Sequence, residues 1–385
     1  MSESKCHVCG FAKPFIVHSK LHGMVTSDCQ CYFPVHPEFK GCPACGYICV
    51  ERDSPLETQE LFRERYQFIQ GEDDLEYMRF DSEIPTGVAG YLADLALEFI
   101  RPDPDFHYLD IGAGKGTLVQ AVHSRQPEIG ISAIEPSPAY ETLSRRKCLQ
   151  NHYHGFFRAE QFAEQTFDLI TLIDVLEHVP DPLAFLQEIG QVMHENSYLL
   201  IEVPNFANNA FDVVTYDHLS KFVPDSLENL LTLAGFSVVK RWLPETVAMQ
   251  MAVRKRSKDE PEVKLLPVDA GLILETAIGQ FDFLLSKVHE LLLKPVAFYG
   301  QSIVAPYLVG SGLISVERVK AMIDDNLMYQ GQKWLQKVPI VALERFKNDC
   351  KAESQPPAIL LTMNRCYHPR VAPKVSDMEV HGLCL

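Results

Sequence analysis

The chain has 385 residues, 46% hydrophobic and 22% charged, with a formal net charge of −16 and an isoelectric point near 5.3. That length suffices for two or three domains with cores of their own, and the acidic balance argues against general nucleic-acid binding, which draws its affinity from Lys and Arg on phosphates. No run approaches the roughly 20 apolar residues of a membrane span, and the opening M-S-E-S-K-C-H has no apolar signal segment; a cytoplasmic protein is expected.

Seven of the 11 cysteines precede residue 50. In a reducing compartment such clustering points to metal rather than disulfides. Cys6-x-x-Cys9 and Cys42-x-x-Cys45 are each followed by glycine, in C-H-V-C-G and C-P-A-C-G. Two such knuckles present four thiolates tetrahedrally, as a closed structural zinc site does, and leave no position for catalysis. A redox pair or a metal-free thiol cluster is the other reading. The 32 residues between the pairs imply a hairpin insertion. It carries His22, Cys29 and Cys31; either cysteine could substitute as a ligand, although C-Q-C is poorer spacing.

After a polar linker, Glu60 to Ile69 and Val88 to Ile100 carry apolar residues at helical spacing. Tyr66, Tyr77 and Met78 are candidates for lining a ligand pocket, against a plain core role. Phe106 to Gly116, F-H-Y-L-D-I-G-A-G-K-G, reads as a buried strand closed by Asp110, a turn through Gly112, Gly114 and Gly116, and a helix from Thr117. Glycines there let the backbone turn sharply and a ligand approach it, and the amides at the helix start suit an anionic or polar group. Ile129 to Ile134 reads as a second strand ended by Glu135, an acid where ribose hydroxyls are typically held.

Farther on, Ser144 to Asn151 is expected to finish a helix and His154 to Arg158 to form a short strand, with Glu160 just beyond. Phe167 to Ile173 is uniformly apolar, as a buried parallel strand should be, and runs into D-V-L-E-H-V-P-D-P, Asp174 to Pro182. A helix over Leu183 to Met193, a strand over Tyr198 to Val203, a helix over Ser226 to Ala234 and strands over Phe236 to Arg241 and Val247 to Val253 complete a doubly wound domain. The charged stretch 254–264 reads as a linker. Val268 to Leu293 is an amphipathic helix. Pro295 to Tyr299 then enters G-Q-S-I-V-A, a degraded glycine turn, and strands follow at Val319 to Ile323, Val338 to Val341 and Ala358 to Thr362.

The loop is G-x-G-x-G, with Thr117 where a dinucleotide fingerprint wants its third glycine, which favours S-adenosylmethionine over NAD. With Asp110, Gly112, Gly114, Gly116 and Glu135 the segment resembles class I S-adenosylmethionine-dependent methyltransferases. The resemblance implies that Asp110 and the glycines embrace the methionine part of the donor and that Glu135 binds its ribose. It places Glu160 near the adenine and counts Asp174, on the loop that edges the active site, with the donor set. The spacing of Asp174, Glu177 and His178 fits a divalent metal, as in some quinone-pathway O-methyltransferases with an E-x-x-E-H pattern. The plainer reading is that His178 braces the loop beside the methionine site.

The order of knuckles, methyltransferase core and second Rossmann-like domain resembles the sugar C-methyltransferase family, which acts on keto sugars attached to nucleoside diphosphates. In that family F-D-T-I-Y-H-E-H carries the acid–base residues; Phe211 to His218 here reads F-D-V-V-T-Y-D-H. Phe211, Asp212 and His218 match, while Thr215, Tyr216 and Asp217 replace the family's tyrosine, histidine and glutamate. The resemblance makes His218 the candidate base, with Tyr216 or Asp217 to assist or replace it; a structural histidine is the alternative. Asp325-Asn326, Gln330-Gly331, Pro339-Ile340 and Asn364 echo the family's C-terminal domain, but Val304-Ala305 stand where it has Lys-Gly.

The expectation is an α/β protein: a zinc-binding domain over 1–55, a doubly wound Rossmann-like methyltransferase core over 56–255, and a Rossmann-like domain over 256–385 that binds substrate. The expected activity is methyl transfer from S-adenosylmethionine to a small molecule, a nucleotide-linked sugar carbon by the resemblance, with structural zinc and neither nucleic acid nor membrane as partner. An O- or N-methyltransferase, or a donor-binding scaffold without catalysis, is the alternative.

Overall fold

The structure, a computed structural model, describes residues 5–18, 21–29, 31–51, 56–64, 78–79, 86–162, 165–243, 247–257, 259–261, 264–289, 294–326, 329–351, 353, 355–363 and 367–382. Tyr66, Tyr77, Asn364 and the side chain of Met78 lie outside these. The chain forms two compact units, each assembled from three stretches: Met1–His18, Glu38–Asn208 and Asp217–Leu274 in the first, and Ser19–Pro37, Asn209–Tyr216 and Glu275–Leu385 in the second.

The first unit is built on a seven-stranded sheet. Ranked by chain position the strands run 3-2-1-4-5-7-6, in the order Asn151–His154, Gly130–Glu135, His107–Ile111, Phe167–Ile173, Met193–Pro204, Ala248–Lys255 and Phe236–Trp242. The first five are mutually parallel; Ala248–Lys255 is antiparallel to both of its neighbours. The apolar runs are explained by burial on both faces. Leu109, Ile111, Ile170, Leu172, Leu199 and Ile201 point to one face, packing with Leu186 and Ile189 of the helix Pro182–Gln191 and Leu227 and Leu230 of the helix Pro224–Leu233. Tyr108, Leu169 and Leu200 point to the other, where Leu92 and Ala96 of Val88–Leu97 and Leu118 and Val119 of Thr117–Arg125 cover them. The period-two alternation of side chains along a strand divides the residues this way.

Two expected elements are displaced. The expected helix over Ser144 to Asn151 is instead a single helical turn, Tyr140–Leu143, and the edge strand starts at Asn151 rather than His154. The Gln150 amide donates to the Ile131 carbonyl at 2.8 Å, which draws the chain onto the sheet; a polar run such as R-R-K-C has too little apolar surface to hold a helix without packing.

The paired knuckles belong to the same unit. Their sheet has four strands, Phe15–His18, Glu38–Gly41, Ile48–Glu51 and the distant Ser220–Lys221, each antiparallel to its neighbour. Cys6, Val8, Cys42, Cys45 and Tyr47 pack into the core face that also holds Leu109 and Phe222.

In the second unit a six-stranded sheet runs Lys333–Trp334, Val338–Val341, Val319–Ile323, Val296–Tyr299, Ala358–Leu361, Val380–Gly382, parallel except for the first pair. The insertion between the knuckles does form a hairpin, Met24–Val25 with Tyr32–Phe33. It belongs to this unit, together with Asn209–Tyr216. One continuous helix, Ala270–His289, runs from the end of the first unit into the second. No described helix is long and apolar enough to cross a membrane.

Candidate active site

The strand order of the first unit reverses between His107–Ile111 and Phe167–Ile173. In open α/β sheets ligands bind outside the carboxyl ends of strands at such a point. Two loops leave it, Gly112–Gly116 and Asp174–His178. The three loop glycines all have positive φ, 76°, 54° and 79°, a region that side chains with a Cβ resist. Gly112 is also constrained by packing. A Cβ there would stand 2.4 Å from Val175 Cγ2 of the facing loop.

The acids are held by backbone and strand. Glu135 is buried, and its two carboxylate oxygens accept the amides of Gly114 and Ser137, each at 2.8 Å. The acid therefore organises the glycine loop directly. Asp110 is 2% exposed and accepts the Thr171 hydroxyl at 2.6 Å; Tyr108 shares that hydroxyl at 2.8 Å. Burial pushes the Asp110 carboxyl up to about 7, with the Thr171 bond pulling down and Glu135 adding to the rise. Glu160 sits exposed on the turn Ala159–Phe162, just past the edge strand.

Asp174 has φ 51°, a left-handed conformation unusual for a residue with a side chain. Its side chain is exposed to solvent. Desolvation first, then the neighbouring Glu202, push its carboxyl above the ordinary range. Glu202 accepts a bond from the Gln250 amide, and Tyr91 donates to Gln250 at 3.3 Å.

Three separate sequence stretches meet at His178. His178 closes the turn Leu176–His178, and its Nδ1 bonds the Asp217 carbonyl at 2.9 Å. The His178 ring stands edge-on to His218 at 4.8 Å and to Phe62 at 4.7 Å. The side-chain donor atoms of Glu177, His178 and His218 lie within 4.8 Å of one another, with Glu177 only 1% exposed. Asp174, the first residue of the D-x-x-E-H spacing, is not in that group. Asp217 and His218 are both buried. Tyr216 is in the second unit, stacked on Phe33 at 3.9 Å with its amide on the Val25 carbonyl. The acid–base stretch is thus divided between the units at the Tyr216–Asp217 bond.

The four knuckle cysteines converge. Cys6 and Cys45 sulfurs are 3.8 Å apart, and Cys9 and Cys42 sulfurs 3.5 Å. Tetrahedral zinc with Zn–S of about 2.3 Å requires S···S edges of about 3.8 Å, so this set fits zinc in number, chemistry and spacing. The hydrogen bond between the Cys6 and Cys45 sulfurs lowers Cys6 below the ordinary thiol range, and the thiolate is the form that ligates. His22, Cys29 and Cys31 lie on the hairpin of the second unit, outside this group.

Several site groups carry no local signature. Thr171 is the one hydroxyl in the apolar strand F-D-L-I-T-L-I, and that break in the pattern is its only mark in the sequence. Gln250, Tyr91 and Glu202 are brought together from strands and a helix far apart in the chain.

Residues 80–241 match the sequence family described as "Methyltransferase domain". The chain is 26% identical over 156 residues to a ubiquinone biosynthesis O-methyltransferase of Xanthomonas campestris pv. campestris, covering 38% of this chain and 64% of that protein. Its identity to the protein of the same description from Parvibaculum lavamentivorans is 29% over 126 residues, 31% of this chain and 49% of the other. The chain thus spans less than two thirds of the curated relatives it matches. Among solved structures it resembles a mitomycin 7-O-methyltransferase at a TM-score of 0.36 and 18% identity, over 43% of this chain and 52% of the other.

Proposed function

We propose that the chain transfers the methyl group of S-adenosylmethionine to a small-molecule acceptor held beside His178 and His218. The observation that carries this reading is a glycine turn held by Glu135 through the Gly114 amide, with Asp110 at the end of the strand before it, together with His178 and His218, whose rings are 4.8 Å apart. In this reading Asp110 and the loop glycines hold the methionine part of the donor, Glu135 holds its ribose, and Asp174 belongs to the loop that edges the site. The donor brings an already activated methyl group; the chain has to align the partners and keep water out.

The acceptor we favour is a carbon beside the carbonyl of a nucleotide-linked sugar, the reading supported by the acid–base stretch ending at His218. His218 takes the proton from that carbon. The enolate carbon then bonds to the methyl group, and the C–S electron pair returns to sulfur, leaving S-adenosylhomocysteine. Imidazole is suited to the base role because it ordinarily titrates near neutrality. The relatives' printed description favours a second reading, in which an acceptor hydroxyl takes the place of the carbon. Four cysteines, Cys6, Cys9, Cys42 and Cys45, hold one structural zinc.

Incubation with labelled donor and a panel of nucleotide sugars and hydroxylated metabolites, followed by mass and NMR analysis of the product, separates the two. A new C–CH3 bond supports the first reading and a methoxy group the second. Transfer to nothing, with donor bound, would leave a scaffold without catalysis and sink the activity itself.

A further inference from the structure

His218 has no regular element of its own to hold it. Leu219 leads from it into the two-residue strand Ser220–Lys221, which pairs with Ile48–Glu51, Ser220 facing Cys49 and Lys221 facing Ile48. The Val50 amide donates to the Leu219 carbonyl at 2.9 Å. Tyr47, which is buried, bonds the Ser220 hydroxyl at 2.7 Å. The strand Ile48–Glu51 in turn begins three residues after Cys45, beyond a knuckle closed by Gly46 N–H to Cys42 O and Cys42 N–H to Tyr47 O, both at 2.9 Å. Asn229, on the helix Pro224–Leu233, donates to the Cys45 carbonyl at 3.0 Å. A two-residue strand cannot sustain itself, and its strand partner among the described residues is Ile48–Glu51.

We propose that the four-cysteine centre positions His218: the metal-held knuckle Cys42–Cys45 fixes Tyr47 and the strand Ile48–Glu51, and these fix the segment Leu219–Lys221 that carries the candidate base. Loss of the metal then disables the acceptor side while the donor side stays intact. The inference rests on the reading of His218 as the base, and it makes the zinc domain a condition of that histidine's placement rather than an appendage.

The test uses the full chain, wild type and Cys42→Ser/Cys45→Ser, with metal content, amide hydrogen exchange and calorimetric titration with S-adenosylhomocysteine. The expected result is loss of about one metal equivalent and at least ~100-fold faster exchange at the Val50 amide, with the amides of 109–111 and 130–134 and the ligand affinity changed by less than about threefold. Should the variant not fold, the same exchange is read on the wild-type chain before and after chelation. A Val50 amide that stays protected once the metal is gone overturns the proposal. So does loss of protection throughout the unit, which would make the metal a global stabiliser only. Tyr47→Phe gives the functional arm: it keeps the metal, and it should lower kcat several-fold without moving the donor KM, but not in a His218→Asn background. An equal effect in both backgrounds would also overturn the proposal. If His218→Asn alone leaves turnover untouched, the base assignment fails, and the exchange result still decides whether the knuckle holds the segment.

Discussion

Thr171 donates its hydroxyl to Asp110 at 2.6 Å from the neighbouring strand, and the carboxyl that receives it is almost wholly out of water. Burial raises that Asp110 carboxyl to about 7. The folded chain therefore retains a proton that the unfolded chain, titrating near 3.8, gives up. Where the folded state binds more protons, stability falls as pH rises. Asp110 thus costs the ligand-free protein progressively more between about pH 4 and pH 7, to at most roughly 4 kcal/mol above that window. Asp110→Asn should accordingly raise the melting temperature at pH 8, with the gain shrinking toward pH 5, while weakening S-adenosylhomocysteine. Melting curves at both pH values check the sign; a variant less stable than wild type at pH 8 contradicts it.

Gly112 faces Val175 too closely for any Cβ. Gly112→Ala should abolish donor binding and destabilise the unit. Adding Val175→Ala should restore part of the stability, leaving the strain of positive φ, about 1 kcal/mol or more. Chemical denaturation of the single and double variants measures both. No recovery in the double variant would show that the clash is not the cause.

Metal analysis of protein purified without added zinc should find about one equivalent per chain. Cys29→Ser/Cys31→Ser should retain it, because neither residue joins the convergent set. Loss of metal from that variant would mean a different ligand group.

His218→Asn should leave S-adenosylhomocysteine affinity unchanged and slow turnover by roughly 100-fold or more. Exchange of the substrate's α-proton with deuterium, followed with that product bound, should slow in parallel. Exchange at the wild-type rate places the base elsewhere.

The sequence was most informative where structure is local. Phe167–Ile173 and Val319–Ile323 are found at the expected residues, because runs of apolar and β-branched residues between polar flanks favour no alternative. The glycine loop was legible for the same reason. The bracing of the site was not. Tyr108 and Thr171 meet across 63 positions, and His178 reaches Asp217 across 39; neither spacing leaves a periodic trace. Ser220–Lys221 is too short and too polar to read as a strand, and Lys221 is fully buried against every compositional expectation. The boundary near residue 208 was equally hidden, since Asn209–Tyr216 differs little in composition from the segments around it.

The three-part make-up of each unit bears on how the chain comes to be folded at all. Neither unit is contiguous, and the second cannot be finished until its last stretch, Glu275–Leu385, has been made. Until then Phe211, which meets Phe281, and Tyr32, which meets Tyr307, have no partners from that stretch. A nascent chain paused near residue 255 therefore carries a methyltransferase sheet complete in its strands together with two apolar segments awaiting residues not yet synthesised. The same holds for any shortened version ending there, which should be prone to aggregation although the glycine loop and both candidate acids are present in it.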